Sequence, residues 1–107
     1  MEKKPFVALN QIEEITKKYP TPFHIYDEKG IRENARKLIK TFAWNKGFKE
    51  YFAVKATPNP YILKILKEEG CGVDCSSLTE LRISDLVNLK GNEIMLSSNV
   101  TPKEDFI

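Results

Sequence analysis

Tyr51-Phe52-Ala53-Val54 is an unbroken apolar and aromatic run that stops at a lysine, Lys55. A strand with one face in water alternates polar and apolar residues. A continuous run predicts a strand covered on both faces, the usual condition in a parallel sheet. Parallel neighbours cannot be joined by tight hairpins and need crossovers, normally helices. This short segment therefore predicts strands and helices that alternate through the chain.

The flanking sequence meets that demand. Asn10 and Glu13 have the spacing of a capping box, with Ile12 and Ile15 as the buried side of a short helix. Pro20 and Pro22 end it, and Phe23-His24-Ile25-Tyr26 reads as a strand. Asp27 can cap a helix whose apolar stripe is Ile31, Ala35, Leu38, Ile39 and Phe42, with Gly47 closing it. After the Tyr51 to Val54 strand, Asn59-Pro60 is an N-cap and first-turn pair. Ile62, Leu63 and Leu66 follow as the buried side, and Gly70 is the C-terminal glycine. Cys71 to Asp74 is the next strand. Ser77 and Glu80 form a capping box before Leu78, Leu81 and Leu86, Gly91 ends that helix, and Ile94-Met95-Leu96 is another strand. The order is strand, helix, strand, helix, strand, helix, strand. That predicts an α/β fold of right-handed βαβ units on a parallel sheet.

Composition excludes several classes. The formal net charge of +2 over 107 residues does not make a polyanion-binding surface, so no nucleic-acid partner is expected. No apolar run approaches the roughly 18 residues of a membrane helix, and the N-terminus lacks a signal-peptide pattern. A cytoplasmic location is expected. Cys71 and Cys75 are too few for a disulfide scaffold or a zinc site, and both read as buried thiols. No metal is expected. Thr101-Pro102-Lys103-Glu104 announces a further helix, yet the chain stops at Ile107. The expectation is a piece of a longer protein whose reading frame continues.

Lys55 carries the chemistry. Parallel α/β proteins place their sites at the carboxyl ends of strands. A lysine partly desolvated there has its pKa lowered and offers a neutral amine to a carbonyl compound. The competing reading is a strand-end lysine reaching into solvent.

The residues around it decide between these. Tyr51-Phe52-Ala53-Val54-Lys55-Ala56-Thr57-Pro58-Asn59-Pro60 resembles the cofactor-lysine segment of the fold-type-III decarboxylases that use pyridoxal phosphate. Gly70-Cys71-Gly72-Val73-Asp74-Cys75-Ser76-Ser77, with Glu80, resembles the family's next strand and helix. Thr21-Pro22-Phe23-His24-Ile25-Tyr26-Asp27 resembles its opening strand. The likeness runs from about Ile12 to Phe106. It identifies the chain as similar to the diaminopimelate/ornithine/arginine decarboxylase family.

That resemblance implies the N-terminal portion of an alanine-racemase-like (β/α)8 barrel. Residues 1–26 would be a lead-in helix and strand, and residues 27–107 the first βα units. A whole barrel takes about 250 residues. It implies pyridoxal phosphate as cofactor and Lys55 as the Schiff-base-forming lysine. Asp74 would be a carboxylate near lysine and cofactor, though a strand-end aspartate can equally cap a loop. Ala53 would be small enough to let the cofactor ring approach, or serve as packing. Glu80 would stand near the site one step removed from the cofactor, while the capping box gives it a second role. His24 occupies an aromatic position of the opening strand and reads as packing.

The implied reaction is decarboxylation of an amino acid. Thr21-Pro22-Phe23 and Pro58-Asn59-Pro60 lean towards diaminopimelate decarboxylase, which converts meso-diaminopimelate to L-lysine and carbon dioxide. Ornithine/arginine-type and carboxynorspermidine-type enzymes remain open. Alanine racemase and the small pyridoxal-phosphate homeostasis protein also place a lysine there, but the loop after Lys55 is unlike that of a racemase and favours the decarboxylases. The full-length protein is expected to be a homodimer, and residues 1–107 alone to be inactive. A non-catalytic flavodoxin-like or βαβ binding module is the reading from another class, but no glycine-rich phosphate loop follows the first strand.

Overall fold

A computed structural model describes residues 4–103. The described chain contains α1 (Leu9–Lys18), α2 (Glu28–Thr41), β1 (Tyr51–Ala53), α3 (Pro60–Glu68), β2 (Gly72–Cys75), α4 (Leu78–Leu86) and β3 (Ile94–Leu96). Short 3-10 turns cover Val54–Ala56 and Gly91–Glu93. The strands form one parallel sheet in the order β1-β2-β3. The α/β class and the parallel sheet are as the sequence predicts.

Two helices begin on the expected chemistry, and α3 also ends on it. Asp27 caps α2 by accepting from the Gly30 N–H at 3.0 Å. Asn59 caps α3 through the Tyr61 N–H at 3.0 Å, with Pro60 in the first turn. Gly70, at φ +91°, lets α3 stop abruptly: its N–H reaches the Lys67 carbonyl and the Cys71 N–H reaches Leu66. That pair of bonds is a Schellman closure. Asn88, at φ +59°, closes α4 in the same way, through Asp85 and Ser84. Lys67 adds its ammonium to the end of α4, 3.0 Å from the Val87 carbonyl and 2.8 Å from that of Asn88.

One sheet face is covered. Val73 and Cys75 point to the helices and are buried with Val54, Leu63 and Leu89, while Phe52, Ile94 and Leu96 pack at the margin. Beyond Phe52, Ala35 of α2 meets Ile62, Leu66 and Cys71 in a second cluster. Side chains alternate along a strand, so Ala53, Asp74 and Met95 stand on the opposite face. No helix layer covers that face among the described residues, and Met95 is 48% exposed. β1 is accordingly only half-buried. The two-sided burial read from its composition would need a layer that the described residues do not supply.

Other expectations are corrected. Residues 23–26 carry no ladder pairing; a strand needs a partner, and no described strand lies beside them. His24 is exposed and stacks on Tyr26 at 6.2 Å rather than packing in a core. α1 begins at Leu9, where Gln11 Oε1 accepts from the Ala8 N–H, and not at an Asn10–Glu13 box. Its Ile12 and Ile15 are half-buried at most. α2 ends at Thr41, well before Gly47, and turns through Phe42, which stacks on Phe48. α4 ends at Leu86, not at Gly91, because Asn88 supplies the left-handed residue. Leu86 is 73% exposed and the buried anchor is Leu89. The helix announced by Thr101–Glu104 lies partly outside the described residues.

Candidate active site

The parallel register brings the candidate residues to one end of the sheet. Ala53 pairs with Asp74, and Asp74 with Met95, along the open face. β1 stops at Ala53, and the chain turns through Val54–Ala56, so Lys55 sits in a 3-10 turn and not in the strand. Val54 is fully buried towards the helices and anchors the turn. Lys55 itself is exposed. The desolvation expected for it is not provided by the described residues.

Asp74 is the residue whose surroundings are incomplete. Its Oδ1 is buried and has no hydrogen-bond partner among the described residues. A buried acceptor left unpaired costs free energy, and native structures pair nearly all of them. The oxygen is suited to a donor from outside these residues, on the face it shares with Ala53.

Glu80 is committed elsewhere. Its Oε2 accepts from the Ser76 N–H at 2.9 Å, and its Oε1 from the hydroxyls of Ser76 at 3.0 Å and Ser77 at 3.2 Å. The Glu80 N–H returns to Ser77 Oγ at 3.4 Å. This is the capping box of α4, displaced so that the backbone donor is Ser76. The carboxylate thus fixes the turn that follows Asp74 and leaves β2. Ser76 escaped the sequence reading, although two serines ahead of a glutamate were a visible signal. Met95 was missed as well, because its place beside Asp74 depends on strand register.

The cysteines take no part. Cys71 and Cys75 are free and buried, and burial pushes both thiols up; the Ser84 hydroxyl, 3.4 Å from Cys75, acts in the opposite direction. Thiols held protonated are poor nucleophiles. Among the described residues no cluster of His, Cys, Asp and Glu could hold a metal, and no helix is long and apolar enough to cross a membrane.

The described residues fit pyridoxal phosphate in part. They supply an accessible amine at a strand's carboxyl end, a small side chain on the adjoining face, and a carboxylate oxygen awaiting a donor.

Comparison with known proteins agrees with that chemistry. Residues 28–106 match the family model described as pyridoxal-dependent decarboxylase, pyridoxal binding domain. The chain is 44% identical over 95 residues to Protein TabA of Pseudomonas amygdali pv. tabaci, covering 89% of this chain and 22% of that protein. Its fold matches a crystal structure of diaminopimelate decarboxylase from M. jannaschii, with a TM-score of 0.79 and 32% identity, over 86% of this chain and 22% of that one. It also matches ornithine decarboxylase from Entamoeba histolytica, with a TM-score of 0.70 and 28% identity, over 87% and 29%. The chain therefore spans under a third of the proteins it matches. Its three strands and their helices correspond to the N-terminal part of the pyridoxal-binding barrel in those enzymes. The chain belongs to the pyridoxal-dependent decarboxylase family, within its pyridoxal-binding domain.

Proposed function

We propose that this chain supplies the cofactor-bearing lysine, Lys55, of an amino-acid decarboxylase that acts on meso-diaminopimelate. The observation that supports the lysine assignment is Asp74 Oδ1, buried and unpaired among the described residues, on the sheet face next to Ala53, at the strand ends where Lys55 emerges. In this reading residues 27–107 are the first βα units of the barrel, preceded by the lead-in of residues 1–26. The complete protein is a cytoplasmic homodimer.

When bound, pyridoxal phosphate supplies an electron sink for the carbanion left as carbon dioxide departs. The residues of this chain prepare for that chemistry. Lys55 would hold the cofactor through its side-chain amine. Asp74 faces the cationic side of the site and favours a protonated nitrogen there. Ala53 leaves room for a flat ring. Glu80 holds the Ser76–Ser77 turn that fixes the end of β2.

A different substrate within the same chemistry has one observation in its favour. Identity to Protein TabA, at 44%, exceeds the 32% shared with the M. jannaschii diaminopimelate decarboxylase. Ornithine, arginine and carboxynorspermidine are the other candidates. Carbon dioxide release by the whole protein from diaminopimelate and from each of these separates them. The 107-residue chain alone is expected to release none.

The lysine is tested by trapping. The chain is mixed with pyridoxal phosphate, reduced with borohydride, digested and mapped by mass. A dominant adduct on Lys55 would assign it as the activated lysine even without the desolvating layer that the described residues lack. Labelling spread evenly over the lysines overturns its assignment as the activated lysine of this chain.

A further inference from the structure

We propose that Tyr51 is a positioning residue for the Lys55 site, the floor of the sheet face on which Ala53 and Asp74 stand. The inference rests on the reading of Lys55 given above and extends it to a residue at the far end of the same strand.

The geometry is specific. Tyr51 starts β1, and its register partner on β2 is Gly72. A Cβ built at Gly72 would lie 2.8 Å from both Cδ1 and Cε1 of Tyr51, and 2.6 Å from the Glu93 carbonyl oxygen. The tyrosine ring therefore lies across β2 in the space a side chain would take. Beyond β2, the Tyr51 hydroxyl donates to the Asn92 carbonyl at 2.8 Å, just ahead of β3. Lys49 completes the arrangement, with its Nζ 5.6 Å from the ring centroid and 3.3 Å from the same carbonyl. One side chain thus spans β1 and β2 at their amino ends and reaches the turn ahead of β3, on the face that no helix covers among the described residues.

The consequence follows from alternation. Two residues on from Tyr51 and Gly72 stand Ala53 and Asp74, on the same face. Lys55 lies two residues beyond Ala53, in the 3-10 turn by which the chain leaves β1. A sheet face without a packed layer above it draws its order from within, and the Tyr51 ring both fixes the relative height of the strands and closes the face from below. Loss of the ring lets β1 and β2 slide and admits water beneath Asp74, which misplaces Lys55 relative to that carboxylate.

The test uses the 107-residue chain with pyridoxal phosphate as probe. Borohydride-trapped adduct on Lys55 is measured relative to exposed Lys29 and Lys64, with circular dichroism as the check on folding. Tyr51→Leu is expected to keep the fold while the Lys55 ratio falls about tenfold, the scale of a small misplacement of a reacting group. Tyr51→Phe keeps the floor and loses only the tie to Asn92, so its ratio falls about threefold, the worth of one hydrogen bond. A purely structural role would lower thermal stability and leave both ratios unchanged. A folded Tyr51→Leu chain with the wild-type ratio overturns the inference and leaves the Lys55 reading intact. Should the leucine variant not fold, an unchanged ratio in Tyr51→Phe overturns it equally. Even labelling of the wild-type chain removes the Lys55 reading first, and this inference with it.

Discussion

Asp74 places function and stability in opposition at a single atom. Its Oδ1 is buried without a donor among the described residues, so the cofactor-free chain carries a desolvation cost that the proposed ligand relieves. Removing the carboxyl should therefore help the empty chain. Asp74→Ala is expected to raise unfolding stability by about 1 kcal/mol while lowering the Lys55 adduct yield. Denaturant unfolding beside the trapping assay measures both. A variant less stable than the wild type would show that Asp74 already has its partner. The sequence marked Asp74 as a strand-end acid but not as an unpaired one, since pairing depends on what the neighbouring strands bring to that face. The motif around Lys55 was legible in the sequence, whereas the exposure of its side chain was not, because exposure depends on which layers pack over the strand ends.

Between elements, α2 and α3 are clasped by charge at their solvent edge. Arg36 donates to both oxygens of Glu69, at 2.6 and 2.7 Å, and Arg32 reaches Glu69 at 2.9 Å and Glu68 at 2.7 Å. Glu69 keeps only 8% of its side chain exposed, and the Arg36 and then the Arg32 hydrogen bonds hold its carboxyl below the usual range. The same bonds, that to Glu69 first, push the Arg32 guanidinium up. A carboxylate with a depressed folded pKa contributes stability above its unfolded value of about 4.3, and that stability is lost as pH falls through the folded value. The chain should accordingly soften in acid, below about pH 4. Glu69→Gln should lower stability at pH 7 and flatten the acid limb. Thermal unfolding across pH checks this, and an unchanged acid limb would assign the sensitivity to other carboxylates. The caps of these helices were readable from local residues. The clasp was not, because Arg32 and Glu69 are distant in sequence and meet only after β1 is laid down.

For the whole molecule, the outer edges of β1 and β3 are unpaired among the described residues. Beside β1, between α2 and α3, lies a cleft of about 350 Å³ lined by Ile31, Ala35, Leu38, Phe52, Ile62 and Leu66. Free edges next to apolar surface invite pairing with another chain. The 107-residue chain should self-associate as its concentration rises, seen as a shift to larger species in size-exclusion chromatography. A monomer at every concentration would mean that the edges are protected. Loss of that shift in the complete protein, which in the relatives matched has about three to four times this length, would identify the edges as internal surfaces of a larger barrel.

The sequence by itself determined the helix starts at Asp27, Asn59 and Ser77, the glycine stop at Gly70, the alternation of strand and helix, and the family motif around Lys55. These rest on bonds and torsions within a few residues, so nearby side chains suffice to set them. The tertiary structure alone decided which sheet face is covered, that residues 23–26 lack a partner strand among the described residues, that Asp74 shares a face with Ala53 and Met95, and that Tyr51 lies across Gly72. Each of these depends on strand register and on layers contributed from far along the chain, where a pairing that shifts by one residue sends every side chain to the opposite face.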